Sequence, residues 1–361
     1  MKRLLAALLA FGATLALAHG PNDPPHQKHC LGDLKLESGE AIRDFCISYV
    51  THGTLNADKS NAILMVTAIG GNHHRIDYLI GPGRALDPTK HFIIATDAIG
   101  NGLTTSPSNS TAQPRMQFPR FNLRDMVASQ HRLVTEKFGL TRLVSVIGAS
   151  MGGVQALQWG VSHPDMMASL VPIIPLGRTP PWTTGVLEML RQSIMSDPDW
   201  QGGNYTRPPE RGMRLWAGWL SGMIARNPHA HNTQFGEKNL DVVPFLKGVQ
   251  DGGWKRMDAA DWVYQSWAYD RHDVGATPGF NGDYARALGS IKAKTLILAA
   301  SGDLLNPESD ALECSQRIPG AKLLTIAPAD PFGHASGGGA RPKDNDFQNA
   351  EIARFLGQIA R

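Results

Sequence analysis

The apolar residues of this chain gather in short unbroken runs more than in alternating ones. The runs stand at 63–67, 91–96, 142–147, 170–174, 295–300 and 322–326, each bounded by glycine, proline, charged or small polar residues. A short apolar run closed by turn formers suits a strand buried on both faces, as strands of a parallel sheet are. Helical periodicity fills the intervals, most clearly over 123–138 and 151–162, with a closing helix expected from about 345 to 359. Strands alternating with helices predict a mostly parallel central sheet with helices on both faces. Between 178 and 285 the pattern turns irregular and helical and holds seven of the eight tryptophans, so it reads as a helical lid inserted into the sheet. Those aromatics would line a pocket or build the lid's own core, and a lid exposing some of them would suit a homodimer.

The N-terminus departs from both patterns. Lys2-Arg3 precede an apolar run over 4–17, and Ala16-Leu17-Ala18 is a small-x-small sequence. This is the form of a signal peptide cut after Ala18, which predicts an exported protein, periplasmic or secreted. The run is shorter than the about 20 residues that span a bilayer, and no later stretch is long and apolar enough to do so. The expected organisation is thus 1–18 signal peptide, 19–177 first part of the core, 178–285 lid and 286–361 second part of the core.

Cysteine usage bears on the same point. Cys30 and Cys46 flank a hairpin pattern, with strands over 31–37 and 41–50 about a turn at Ser38-Gly39. Their near symmetry about that turn brings them close across two antiparallel strands, and a disulfide suits an exported chain; two unpaired thiols are the alternative. Cys314, on a helix beginning near Pro307, is expected to be a core residue. Formal net charge is +3, and removal of Lys2 and Arg3 leaves 33 basic against 32 acidic residues. That balance argues against nucleic acid or an anionic membrane as partner. Gly100-Asn-Gly102 lacks the rest of a phosphate-binding fingerprint. His73 and His74 belong to no complete metal-ligand spacing, so neither metal nor cofactor is expected.

Candidate chemistry begins at Gly148-Ala149-Ser150-Met151-Gly152, a G-x-S-x-G pentapeptide between the strand-like Arg142-Leu-Val-Ser-Val-Ile147 and a helical run ending before His163-Pro164. A serine on so sharp a strand-to-helix turn leaves no room for side chains two positions either side, hence Gly148 and Gly152. The Met151 N–H, opening the helix, can stabilise charge on an attacked carbonyl oxygen. The second donor is expected at the turn after the strand Asn61-Ala-Ile-Leu-Met-Val-Thr67, from Ile69 or Gly70. A serine needs a base and an orienting acid, in the order Ser, Asp or Glu, His. Asp303 directly follows the strand Thr295-Leu-Ile-Leu-Ala-Ala300, and His334 lies in the loop after Lys322-Leu-Leu-Thr-Ile326. Asp310 and Asp330 are competing candidates for the acid, whereas Asp97 precedes the serine and is expected to shape a loop.

The chain also resembles the homoserine O-acetyltransferase family of α/β-hydrolase-fold enzymes from about residue 45 through 359. The matching stretches are Leu79-Ile-Gly-Pro-Gly-Arg-Ala-Leu-Asp87, Phe118-Pro-Arg-Phe-Asn-Leu-Arg-Asp-Met126, Val146-Ile-Gly-Ala-Ser-Met-Gly-Gly-Val-Gln-Ala-Leu157, Ser196-Asp-Pro-Asp-Trp-Gln-Gly-Gly-Asn204 and Gly333-His334. The resemblance implies an α/β-hydrolase fold, the triad Ser150, Asp303 and His334, and an acyl-enzyme formed in a ping-pong cycle. Members acting on homoserine usually carry an aspartate after the catalytic histidine, where Ala335 stands here. They also tend to carry an arginine in the helix after 200–204, near Ala217 here, with Arg214 and Arg226 within a few turns. The turn Thr67-Ala-Ile-Gly-Gly71 replaces the family's usual His-Ala-Leu-Thr-Gly. An exported enzyme meets water but not acyl-coenzyme A. The expected function is therefore hydrolysis of a carboxylic ester or related acyl compound. Acyl transfer to an alcohol, and non-catalytic binding on the same fold, are the alternatives.

Overall fold

The computed structural model describes residues 24–359. The expected signal peptide, residues 1–18, lies outside them. The strands are β1 (Gln27–Cys30), β2 (Leu34–Lys35), β3 (Ala41–Ile42), β4 (Cys46–His52), β5 (Ala62–Val66), β6 (Phe92–Thr96), β7 (Leu143–Ala149), β8 (Met167–Ile173), β9 (Lys294–Ala300) and β10 (Lys322–Ile326). Among the described residues, eight of them form one sheet in the order β1-β4-β6-β5-β7-β8-β9-β10, while β2 and β3 form a separate ribbon. From β6 to β10 every pairing is parallel, and β4 joins β6 and β1 antiparallel.

Each apolar run of the sequence is one of the parallel strands; for β5 to β9 burial on both faces explains why the run is unbroken, while β10 is an edge strand and only partly covered. Along β5, Leu64 and Val66 belong to one hydrophobic core and Ile63 and Met65 to the other, because successive side chains leave opposite faces of a strand. The first core is closed by α1 (Leu123–Arg132) and α2 (Met151–Ser162), which contribute Met126, Leu157 and Trp159. The lid helices follow β8: α3 (Pro181–Met195), α4 (Glu210–Ala217), α5 (Pro228–His231), α6 (Val243–Gly253) and α7 (Ala259–Asp270). Beyond them come α8 (Tyr284–Gly289), α9 (Glu308–Arg317), the single turn α10 (His334–Gly337) and α11 (Pro342–Leu356). Ile352, Phe355 and Leu356 of α11 close the second core. Cys314 of α9 is buried and unbridged.

The N-terminal hairpin differs from expectation. In place of one strand over 31–37 and one over 41–50, the pairing leaves the main sheet at Gly32 and Asp44, both at positive φ (67° and 51°). Phe45 N–H still donates to Gly32 O (2.7 Å), but the bend turns Leu34 and Ile42 into the short β2–β3 ribbon. Cys30 stands opposite Cys46 in the β1–β4 register, and the two are disulfide-bonded. The helix expected over 123–138 is also shorter, since α1 ends at Arg132 and passes into a wider π-helical turn over Leu133–Lys137 before Gly139 reverses the chain at φ 60°.

Candidate active site

Ser150 sits between the end of β7 and the start of α2 with φ 59° and ψ −125°. A non-glycine residue in that region costs of order 1–3 kcal/mol and persists only where its surroundings hold it. Here Ser150 N–H donates to Ile173 O of β8 (2.9 Å), and Ser150 O accepts from Val154 N–H (3.0 Å). The flanking glycines are required sterically. A Cβ on Gly148 would lie 2.5 Å from the Gly152 backbone, and one on Gly152 would lie 2.5 Å from Val66 O.

Three distant segments meet at this turn. His334 Nε2 is 2.8 Å from Ser150 Oγ, and His334 Nδ1 is 2.7 Å from Asp303 Oδ2. A carboxylate can only accept, so Nδ1 carries the proton and Nε2 is left to accept from the serine hydroxyl. Asp303 is held independently of the histidine: its Oδ1 accepts from Leu305 N–H (2.8 Å) and Asn306 N–H (2.9 Å). All three residues are at most 6% exposed, so their hydrogen bonds are shielded from competing water. The competing acids are engaged elsewhere: Asp310 lies in the first turn of α9, and Asp330 is paired with Arg341 and Lys343. The arrangement is that of a serine-nucleophile acyl hydrolase, with Ser150 as nucleophile, His334 as base and Asp303 as orienting acid.

The turn after β5 lies against the elbow and corrects one assignment. Gly70 N–H donates to Gln265 Oε1 of α7 (2.9 Å), so it is not free to meet a substrate oxygen. Among the described residues neither Ile69 N–H nor Met151 N–H donates to the protein. The turn is closed by Gly71 N–H to Ala68 O (3.0 Å), with Gly70 at φ 62°, and Gln155 of α2 donates to Thr67 O (2.9 Å).

Other singled-out residues fall around this centre. Both oxygens of Asp97 accept hydrogen bonds, from His73 N–H, Asn101 Nδ2 and Ser48 Oγ, which shapes the loop after β6. His26, His73 and Asp97 bring ligand-type atoms within 4.8 Å of one another, but the carboxylate is already committed to those donors. Arg214 is paired with Glu210 and Asp251. Arg226 donates to Gln234 (2.6 Å) and packs over Phe245 and Phe332, and burial lowers its pKa to about 10. Arg75 donates to Gly338 O (2.8 Å), four residues beyond His334, and burial lowers its pKa.

Three supporting residues were not singled out in the sequence. Asn306 donates to Ile174 O (2.7 Å) and accepts from Tyr269 Oη (2.8 Å), which ties the acid's loop to α7. Gln265 holds the turn after β5. The available signal was Gln265 itself, a polar residue amid the buried positions of α7, where an amide must find partners.

The family model for the alpha/beta hydrolase fold matches residues 61–338. An ethyl acetate hydrolase of Pseudomonas veronii is 33% identical over 351 residues, covering 94% of this chain and 97% of that protein. A homoserine O-acetyltransferase of Moorella thermoacetica is 35% identical over 335 residues, covering 83% and 88%. The crystal structure of an acetylester hydrolase from Corynebacterium glutamicum superposes with a TM-score of 0.84 at 30% identity, covering 92% of this chain and 96% of that one.

Proposed function

We propose that this chain, which belongs to the α/β-hydrolase fold family and is related both to esterases and to homoserine O-acetyltransferases, hydrolyses small uncharged carboxylic esters, acetyl esters among them, outside the cytoplasm. The observation that carries the reading is the surroundings of His334. The next residue is Ala335, a methyl group with no carboxylate to meet a substrate ammonium. The ester hydrolases named above act, by their names, on acetyl esters, which suits a short acyl chain.

In the proposed cycle Ser150 Oγ attacks the ester carbonyl as its proton passes to His334 Nε2. The developing oxyanion is met by the N–H groups of Met151 and Ile69. Collapse expels the alcohol, which takes the proton from His334. Water then attacks the acyl-Ser150 ester with His334 again as base, releasing the acid and restoring the serine.

Acyl transfer is the competing outcome, and partitioning separates the two. With ethyl acetate or p-nitrophenyl acetate as donor and millimolar homoserine present, acetate release is expected to exceed O-acetylhomoserine formation at least tenfold, on the order of the 1.4 kcal/mol per decade that separates two acceptors. Transfer outrunning hydrolysis would return the chain to the acetyltransferase reading.

Export is proposed on the leader-like residues 2–18 and on the Cys30–Cys46 disulfide, a bond that suits an oxidising compartment. Self-association through the lid is proposed on Trp182, Met189, Leu215 and Trp219 of the lid, which are 47–70% exposed. Protein recovered from the periplasm or medium should begin at His19 and sediment as a dimer. An intact Met1, or a monomer at micromolar concentration, counts against the respective statement.

A further inference from the structure

We propose that Gln265, on lid helix α7, is a positioning residue for the oxyanion turn, so that the lid helps to set the catalytic geometry as well as covering it. This rests on the reading of Ile69 N–H as the second oxyanion donor.

Trp262, Gln265 and Tyr269 are spaced i, i+3 and i+7 along α7 and therefore share one helix face. Trp262 and Gln265 meet the turn after β5, and Tyr269 meets the acid's loop. Trp262 packs its indole on Gly70, so closely that a Cβ there would fall 1.9 Å from the ring. Gln265 accepts from Gly70 N–H (2.9 Å) and donates to Ile99 O (3.1 Å). Tyr269 donates to Asn306 Oδ1 (2.8 Å), beside the acid. Gln265 is fully buried and uses both ends of its amide, which fixes which end faces Gly70.

The turn over 68–71 has two peptide units that matter. The Ala68–Ile69 unit carries the proposed donor, and its carbonyl is held by Gly71 N–H. The Ile69–Gly70 unit is the central peptide of the turn, the one that can reverse between turn types at modest energy when Gly occupies the third position. Gln265 holds that unit through its N–H, and Gln155 of the nucleophile helix holds Thr67 O at the other end. The donor is thus clamped between the helix that bears Ser150 and a lid helix. A neutral amide is suited to this work: it binds one N–H and one C=O and places no charge beside the oxyanion.

Gln265→Leu and Gln265→Met keep much of the side-chain volume and remove the amide. Activity is read per reactive Ser150, titrated with a fluorophosphonate, so that misfolded protein is not counted. Expected for both variants is a loss of about 10–100-fold in kcat, somewhat less than the 10²–10³-fold for deleting an oxyanion donor outright, with KM changed less than threefold. A trifluoromethyl ketone, which forms a tetrahedral oxyanion on the serine, should weaken by the same factor. A kcat within fivefold of the unsubstituted enzyme in either variant, or an unchanged ketone affinity, overturns the proposal. The unsubstituted enzyme tests the underlying reading separately: if it binds the trifluoromethyl ketone no better than the methyl ketone, the oxyanion assignment itself fails.

Discussion

Ser150→Ala is expected to lower kcat for p-nitrophenyl acetate by about 10⁵–10⁶-fold, the scale seen when a triad serine is removed from a serine hydrolase. KM should change little, since the pocket and the oxyanion donors are untouched. The fold should survive as well. Alanine at φ 59° carries the same backbone strain as serine, so neither strain nor its release enters, and only Oγ is lost. A variant retaining more than about one part in 10³ of the activity after repurification would mean that another group takes up the acyl chain.

Asp303→Asn is expected to cost about 10⁴-fold in kcat, and the reason lies in the hydrogen bonds that Asp303 makes away from the histidine. Its Oδ1 accepts from two backbone N–H groups, Leu305 and Asn306. Asparagine at that position must keep its oxygen there, because its NH₂ cannot accept. The NH₂ is then turned towards His334 Nδ1, which becomes the acceptor. The ring proton moves to Nε2 and points at Ser150, so the base is lost while the geometry is kept. Titration of the active serine with a fluorophosphonate, measured beside steady-state kcat, checks this. A rate within tenfold of the unsubstituted enzyme would show that a different acid orients the imidazole.

The triad was legible in the sequence because each member directly follows or begins an element with a strong pattern. Ser150 joins a buried strand to a buried helix, Asp303 stands in the loop just after the run Thr295-Leu-Ile-Leu-Ala-Ala300, and His334 follows the last strand. In a parallel sheet those positions all fall at the C-terminal strand ends, so chain order alone brings the three together. Two kinds of feature were not legible. The donor after β5 was narrowed to Ile69 or Gly70, and what occupies the Gly70 N–H is an acceptor almost two hundred positions away, Gln265 Oε1. No local periodicity encodes that contact. The course of the N-terminal hairpin was missed because Gly32 and Asp44 adopt positive φ together, bending a strand whose side-chain alternation looks continuous. Of the lid tryptophans, Trp200, Trp216 and Trp262 are buried, while Trp182 and Trp219 are more than half exposed.

Mass mapping of the enzyme quenched during turnover of p-nitrophenyl acetate tests the central claim most directly. The account predicts one acetyl group on the peptide that contains Ser150, gained before steady state and lost on standing in water. An unmodified Ser150 during turnover, or an acetyl group resident on another side chain such as Cys314, would contradict it.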